Sequence, residues 1–134
     1  MSLIQTLSLG VIGDDRGQLI SLEANRNIPF EIKRVYYIFG TQPGVSRGSH
    51  AHKKLQQILV CTSGSCEIVV SDGNTQEKLT LDRPDIGLFI GPMIWRDMLN
   101  FSSECVLMVL ASDFYDESDY IRDYSSFLGE LCDA

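Results

Sequence analysis

Arg47-Gly48-Ser49-His50-Ala51-His52-Lys53-Lys54-Leu55-Gln56-Gln57-Ile58-Leu59-Val60 carries both histidines of the 134-residue chain, one residue apart and just ahead of an apolar run. In an extended strand, residues i and i+2 face the same side, so the two imidazoles are expected to enter one space beside Arg47, Lys53 and Lys54. Imidazole titrates near neutrality, and such a pair can take a proton from one atom and deliver it to another. The competing reading is a polar strand start in which two histidines happen to alternate with small residues.

Outward from this stretch, short apolar and β-branched segments recur between Gly, Pro, Asn and Asp, which is the pattern of many short strands. The candidates are 19–23, 33–39, 56–61, 66–71, 76–81, 87–90 and 105–112. Ser71-Asp72-Gly73-Asn74 marks a hairpin turn, and Arg83-Pro84-Asp85 and Ile90-Gly91-Pro92 mark others. Helical spacing occurs only near the end, where Tyr120, Tyr124, Phe127, Leu128 and Leu131 follow the acidic run Asp116-Glu117-Ser118-Asp119. The expectation is an all-β sandwich or barrel with a C-terminal α-helix, forming one domain over residues 1–134.

The formal net charge is −7, with the acidic excess largely after residue 112, which argues against a general nucleic-acid-binding surface. The basic residues around the histidines are then a local anion site. Met1 to Gly10 holds no Lys or Arg and no long apolar run, so neither a signal peptide nor a membrane span is expected, and a cytoplasmic, soluble protein is. Cys61, Cys66, Cys105 and Cys132 make no Cys-x-x-Cys pair and read as reduced thiols. Cys61 and Cys66 flank Thr62-Ser63-Gly64-Ser65 and are the one pair that a hairpin would set face to face.

The His-x-His followed by the segment Gly87 to Asn100 resembles the cupin jelly-roll β-barrel, the double-stranded β-helix. Metal-binding cupins add a Glu four or five residues after the histidines and a third His from a later Gly-Pro segment. Here Gln56 or Gln57 stands at the first position and Arg96 at the second. Arginine does not deprotonate to ligate a metal, and a glutamine carbonyl is a weak neutral ligand, so the site is read as metal-free.

More closely, the chain resembles the sugar-nucleotide 3,4-ketoisomerases. The matching stretches are Asn27-Ile28-Pro29-Phe30, Ile32-Lys33-Arg34-Val35-Tyr36-Tyr37-Ile38, Arg47-Gly48 with His50-x-His52-Lys53-Lys54-Leu55, Gly91-Pro92 with Trp95, Val106-Leu107-Met108-Val109-Leu110-Ala111-Ser112, and Tyr115-Asp116-Glu117-Ser118-Asp119-Tyr120-Ile121-Arg122. This resemblance implies a cupin enzyme that needs no cofactor and moves the ketone of a thymidine-diphosphate-linked 4-keto-6-deoxyglucose from C4 to C3. The product would feed 3-amino sugars of bacterial surface glycans, such as lipopolysaccharide O-antigen and S-layer glycan. It also implies a homodimer, with exchange of N-terminal strands, and places Tyr36 in the site.

That reaction requires removing the C3 proton, passing through an enediol or enediolate, and protonating C4. A base, an acid and stabilisation of an oxyanion suffice. His50 and His52 are the candidate base and acid, and the Tyr36 hydroxyl the candidate donor to the enolate oxygen. Arg47, with Lys53, is assigned to the diphosphate because a guanidinium matches phosphate oxygens and keeps its charge. Arg16, Trp95 and Arg96 belong to segments that line the sugar end in relatives. Arg16 resembles the galacto-forming relatives and Arg96 the gluco-forming ones, so the sequence leaves the C4 configuration open. The competing readings are a sugar-nucleotide-binding cupin without turnover and a 3,5-epimerase.

Overall fold

A computed structural model describes residues 2–132. Its strands are β1 (Gln5–Ser8), β2 (Val11–Asp14), β3 (Gly17–Ile20), β4 (Arg34–Ile38), β5 (Arg47–His52), β6 (Gln57–Ser63), β7 (Cys66–Ser71), β8 (Gln76–Leu81), β9 (Ile86–Ile90), β10 (Trp95–Leu99), β11 (Val106–Ala111) and β12 (Tyr120–Ile121). One helix, α1 (Tyr124–Cys132), closes the described chain. Two five-stranded antiparallel sheets, in the orders β1-β9-β6-β11-β4 and β12-β5-β10-β7-β8, bury a core between them, and β2-β3 forms a separate hairpin. This is the expected jelly roll with a C-terminal helix.

The apolar run after the histidines becomes β6, buried on both faces. Leu59 and Cys61 join Ile68, Val70, Leu88, Met98 and Leu107 between the sheets, while Ile58 and Val60 pack outward under Leu9, Ile28 and Phe30. A third cluster sets Phe127 of α1 against Ala51, Trp95 and Ile121, which holds the helix beside the histidine strand. At the β7–β8 turn, Asp72 Oδ1 accepts the amides of Asn74 and Thr75 at 2.8 Å each, and Gly73 takes the left-handed φ of 90° that the turn requires.

Several boundaries differ from the sequence reading. Residues 21–23 leave the strand because Asn27 accepts the Glu23 amide and donates to the Ser21 carbonyl, at 2.7 Å each, ending the pairing after Ile20. Helix α1 begins at Tyr124, not Tyr120. The acidic run instead makes a single 3-10 turn, Glu117–Asp119, capped by Asp116, and Tyr120 pairs with His52 in β12. Asp123 caps the helix, its carboxylate accepting the Ser126 amide at 3.0 Å. Strands β1, β2 and β10 were not anticipated; Trp95-Arg96-Asp97-Met98-Leu99 has no β-branched residue and becomes a strand through its neighbours β5 and β7. Cys61 and Cys66 do not face each other across a hairpin: β6 and β7 lie in different sheets, and both thiols are free. Among the described residues, no helix is long and apolar enough to cross a membrane.

Candidate active site

The site is built where β5 meets β10. Arg96 stands opposite His50, but Asp97 stands opposite Gly48, so Ser49 is an extra residue that bulges β5. Gly48 (φ 87°) and Ser49 (φ 50°) both adopt left-handed backbone, and a Cβ on Gly48 would lie 3.2 Å from the Arg96 carbonyl. The Ser49 hydroxyl donates to Asp97 Oδ1 at 2.6 Å and pins the bulge.

This distortion turns the Gly48 carbonyl onto His50 Nδ1 at 2.7 Å. A carbonyl only accepts, so Nδ1 carries the proton and Nε2 presents a lone pair. That Nε2 is buried and has no protein partner. Burial, reinforced by the Arg96 charge, pushes His50 down to about 4, which keeps the ring neutral at physiological pH.

Arg96 is fully buried and has no carboxylate partner among the described residues. It donates to the Ile94 carbonyl and to Gln57 Oε1. Because a guanidinium has no acceptor, it fixes the orientation of the Gln57 amide, whose Nε2 then donates to the Tyr36 hydroxyl at 3.0 Å. With its oxygen already accepting, Tyr36 is free to donate its own proton into the cavity. Burial pushes the Tyr36 phenol above its ordinary value, so it holds that proton. Burial also pulls Arg96 down to about 10, leaving it charged.

His52 is packed edge-on against His50 with ring centroids 4.8 Å apart, and both rings lean on Tyr120. The alternation inferred from the sequence therefore does bring the imidazoles together. Burial and then the Arg96 charge push His52 down to about 2. Its Nδ1 lies 3.3 Å from Asp119 Oδ2, outside hydrogen-bonding geometry. Asp119 is itself anchored by the amides of Lys54 (2.9 Å) and Leu55 (3.3 Å).

The two histidines open onto different spaces. His50 lines a cavity of about 320 Å³ with Tyr36, Tyr120 and three arginines, Arg34, Arg47 and Arg122; none of its described lining residues is acidic. His52 lines a smaller one of about 180 Å³ whose wall includes Asp113, Asp116 and Asp119. Arg34 and Tyr120 form the partition. Arg34 is held over the Tyr36 ring at 5.2 Å and Arg122 over Tyr120 at 4.1 Å, while Glu117 grips Arg122 at 2.8 Å.

Arg47, His50 and Tyr36 thus line one cavity, His52 packs against His50 from the neighbouring one, and Arg96 reaches the first cavity through Gln57. The remaining sequence candidates lie elsewhere within this chain. Arg16 sits on the β2–β3 turn, paired with Asp14 at 2.6 Å, and shares no cavity wall with the histidines. Lys53 pairs with Glu130 of α1 at 3.6 Å. Trp95 packs with Phe127 and donates to Asp97 at 3.2 Å. The sequence reading missed Arg34, Asp119, Tyr120 and Arg122 as wall residues. The signal available for Arg34 was its place two residues before Tyr36 on the same strand face.

The donor set does not suit a divalent cation. Gln57 turns its carbonyl to Arg96, and that buried guanidinium occupies the position from which a third imidazole would ligate, bringing a positive charge against both histidines.

Comparison with known proteins identifies the family. The family model described as WxcM-like, C-terminal (FdtA) matches residues 3–131. The chain belongs to this family. The TDP-4-oxo-6-deoxy-alpha-D-glucose-3,4-oxoisomerase of Aneurinibacillus thermoaerophilus is 59% identical over 114 residues, covering 85% of this chain and 82% of that one. The WlaRB TDP-quinovose 3,4-ketoisomerase of Campylobacter jejuni superposes with a TM-score of 0.91 at 56% identity, over 96% of this chain and 99% of the other. A mutant of the QdtA 3,4-ketoisomerase of Thermoanaerobacterium thermosaccharolyticum, solved with TDP-4-keto-6-deoxyglucose, gives 0.94 at 42% identity, over 97% and 94%. The chain is thus a cupin-type member of the FdtA family.

Proposed function

We propose that this chain is a sugar-nucleotide 3,4-ketoisomerase that converts thymidine-diphosphate-linked 4-keto-6-deoxyglucose to the 3-keto isomer by proton transfer alone. The observation that carries the reading is the His50 Nε2 lone pair, held by the Gly48 carbonyl at the wall of a cavity with three arginines and no described acid. A neutral base and an anion-binding wall are what a 4-keto sugar diphosphate needs.

His50 Nε2 takes the C3 proton, and the electron pair of the broken C–H bond forms the enediolate as charge moves to the C4 oxygen. Tyr36, its hydroxyl polarised along the Arg96–Gln57 relay, donates a hydrogen bond to that oxygen. The C3 hydroxyl proton passes to the C4 oxygen, shifting the charge to the C3 oxygen, and the C3 ketone forms as C4 takes a proton from His52, whose ring packs against His50 and Tyr120 where the two cavities meet. Asp119 stabilises the imidazolium that His52 passes through when it is protonated from solvent. Arg47, together with Arg34 and Arg122, holds the diphosphate; Lys53, engaged with Glu130, stands outside that set. No metal is used.

The working unit in this reading is a cytoplasmic homodimer of single-domain chains. Val35 and Tyr37 of the edge strand β4, with Phe39 just beyond it, form an exposed apolar strip suited to a second copy. If the N-terminal strands are exchanged, Arg16, which shares no cavity wall with the histidines of its own chain, is carried toward the site of its partner.

Proton NMR of the purified protein with the 4-keto substrate in deuterated buffer tests the assignment. A 3-keto product is expected. Deuterium at C5 with the ketone still at C4 would show epimerase chemistry, and unchanged sugar would show a binding protein.

A further inference from the structure

At the other end of the barrel, three of the four cysteines converge. Cys61 ends the buried part of β6, Cys66 opens β7 and Cys105 immediately precedes β11; each is 1% exposed, and the three sulfur atoms lie within 4.8 Å of one another. They are separate from the catalytic machinery: Gln57 touches Arg96, and Cys61 follows it by four residues, roughly 13 Å along an extended strand. Nothing in the isomerase reaction uses them.

We propose that Cys61, Cys66 and Cys105 form a structural site for one thiophilic closed-shell divalent cation, for which Zn(II) is the fitting ion. Tetrahedral zinc with Zn–S bonds of about 2.3 Å sets neighbouring sulfurs roughly 3.8 Å apart. The Cys61 and Cys105 sulfurs are already 3.8 Å apart. The remaining approach is within the reach of small χ1 adjustments.

A fourth ligand is also at hand. The Cys61 thiol donates to the Ser63 carbonyl at 3.1 Å and the Gly64 carbonyl at 3.4 Å. Zinc binding displaces the thiol protons to solvent, so those carbonyls lose their S–H donors and one can turn to the metal as a neutral oxygen ligand. Three thiolates, one carbonyl and Zn(II) leave a net charge of −1 on the cluster, far less than three buried thiolates alone.

The consequence is mechanical. β6 and β11 belong to one sheet and β7 to the other, so an ion held by all three cysteines ties the two sheets together at the end remote from the histidines. Small β-sandwiches gain stability from such a staple because the unfolded chain does not offer a preformed site.

The test uses the full chain with exposed Cys132→Ser, kept reduced by a non-thiol reductant. Cd(II), as a spectroscopic substitute, is expected to produce an ultraviolet sulfur-to-metal charge-transfer band that saturates at one equivalent. Zn(II) should raise the melting temperature with the same stoichiometry and protect the three thiols from a thiol-specific reagent. Binding at His50 and His52 yields no sulfur band and is therefore distinguished. Cys66→Ser and Cys105→Ala, each in the Cys132→Ser background, should lose both the endpoint and the thermal shift; two variants guard against one that fails to fold. Absence of a one-equivalent endpoint in the parent, a band that persists in either variant, or a melting temperature indifferent to Zn(II) overturns the proposal.

Discussion

His50 and His52 project from one strand with rings 4.8 Å apart, yet His50 faces a cavity with three arginines and His52 one whose wall includes three aspartates. The Gly48–Ser49 bulge fixes the tautomer of the first ring, while the second keeps both nitrogens without a hydrogen-bond partner. Identical side chains thus become different reagents. The arginine side suits a diphosphate and a neutral base, and the aspartate side sets a carboxylate, Asp119, 3.3 Å from the second ring. Arg96 acts on both, since its buried charge disfavours protonation of either ring.

The largest effect should come from breaking the first side. His50→Asn is expected to lower kcat by about two to four orders of magnitude, the usual contribution of acid–base catalysis, while TDP affinity by calorimetry stays near that of the parent. Full activity in a folded variant would remove His50 from the mechanism.

Next in size is the arginine wall. Arg47→Gln or Arg34→Gln each removes charge-assisted hydrogen bonds worth about 1.5–3 kcal/mol, so TDP should bind about 10- to 100-fold more weakly. The loss should shrink at high salt, because screening weakens the parent's own binding. An affinity unchanged by both substitutions would place the diphosphate elsewhere.

The strand pairings that were legible in the sequence are those whose side chains carry their own signal. β7 and β8 match the expected spans, with the Asp72–Gly73 turn between them, because β-branched alternation and turn chemistry agree there. β10 was hidden since its residues become a strand only through pairing with β5 and β7. The C-terminal helix was placed a turn too early because Asp119, read as a helix-start charge, is drawn off to the Lys54 and Leu55 amides. In the site, a two-residue period sufficed to find the histidine pair. The Arg96–Gln57–Tyr36 relay was not visible, because it joins three strands far apart in sequence, and Gln57 was legible only as a failed metal ligand.

On the aspartate side, Asp119→Asn should lower kcat on the order of tenfold, less than loss of an acid–base group itself. Removing the carboxylate makes protonation of His52 harder, so the limb of the kcat profile that reports His52 should move to lower pH. Asp119→Glu should restore it in part. A fall in melting temperature with an unmoved profile would reduce Asp119 to its contacts with the Lys54 and Leu55 amides.

The smallest effect is on stability. Both histidines hold pKa values below 6.5 in the folded state, so from pH 6.5 down to about 4 for His50, and lower still for His52, the unfolded chain binds protons that the folded one refuses. Stability should be complete above pH 6.5 and decline as pH falls through this window. Denaturant titrations of His52→Gln should show a shallower decline than those of the parent.

The division between the histidines is tested most directly by following the C3 proton of the bound 4-keto substrate in deuterated buffer. His52→Asn should still exchange that proton while yielding little 3-keto product, and His50→Asn should leave it in place. Exchange at the parent rate in His50→Asn, or its loss in His52→Asn alone, would contradict the account.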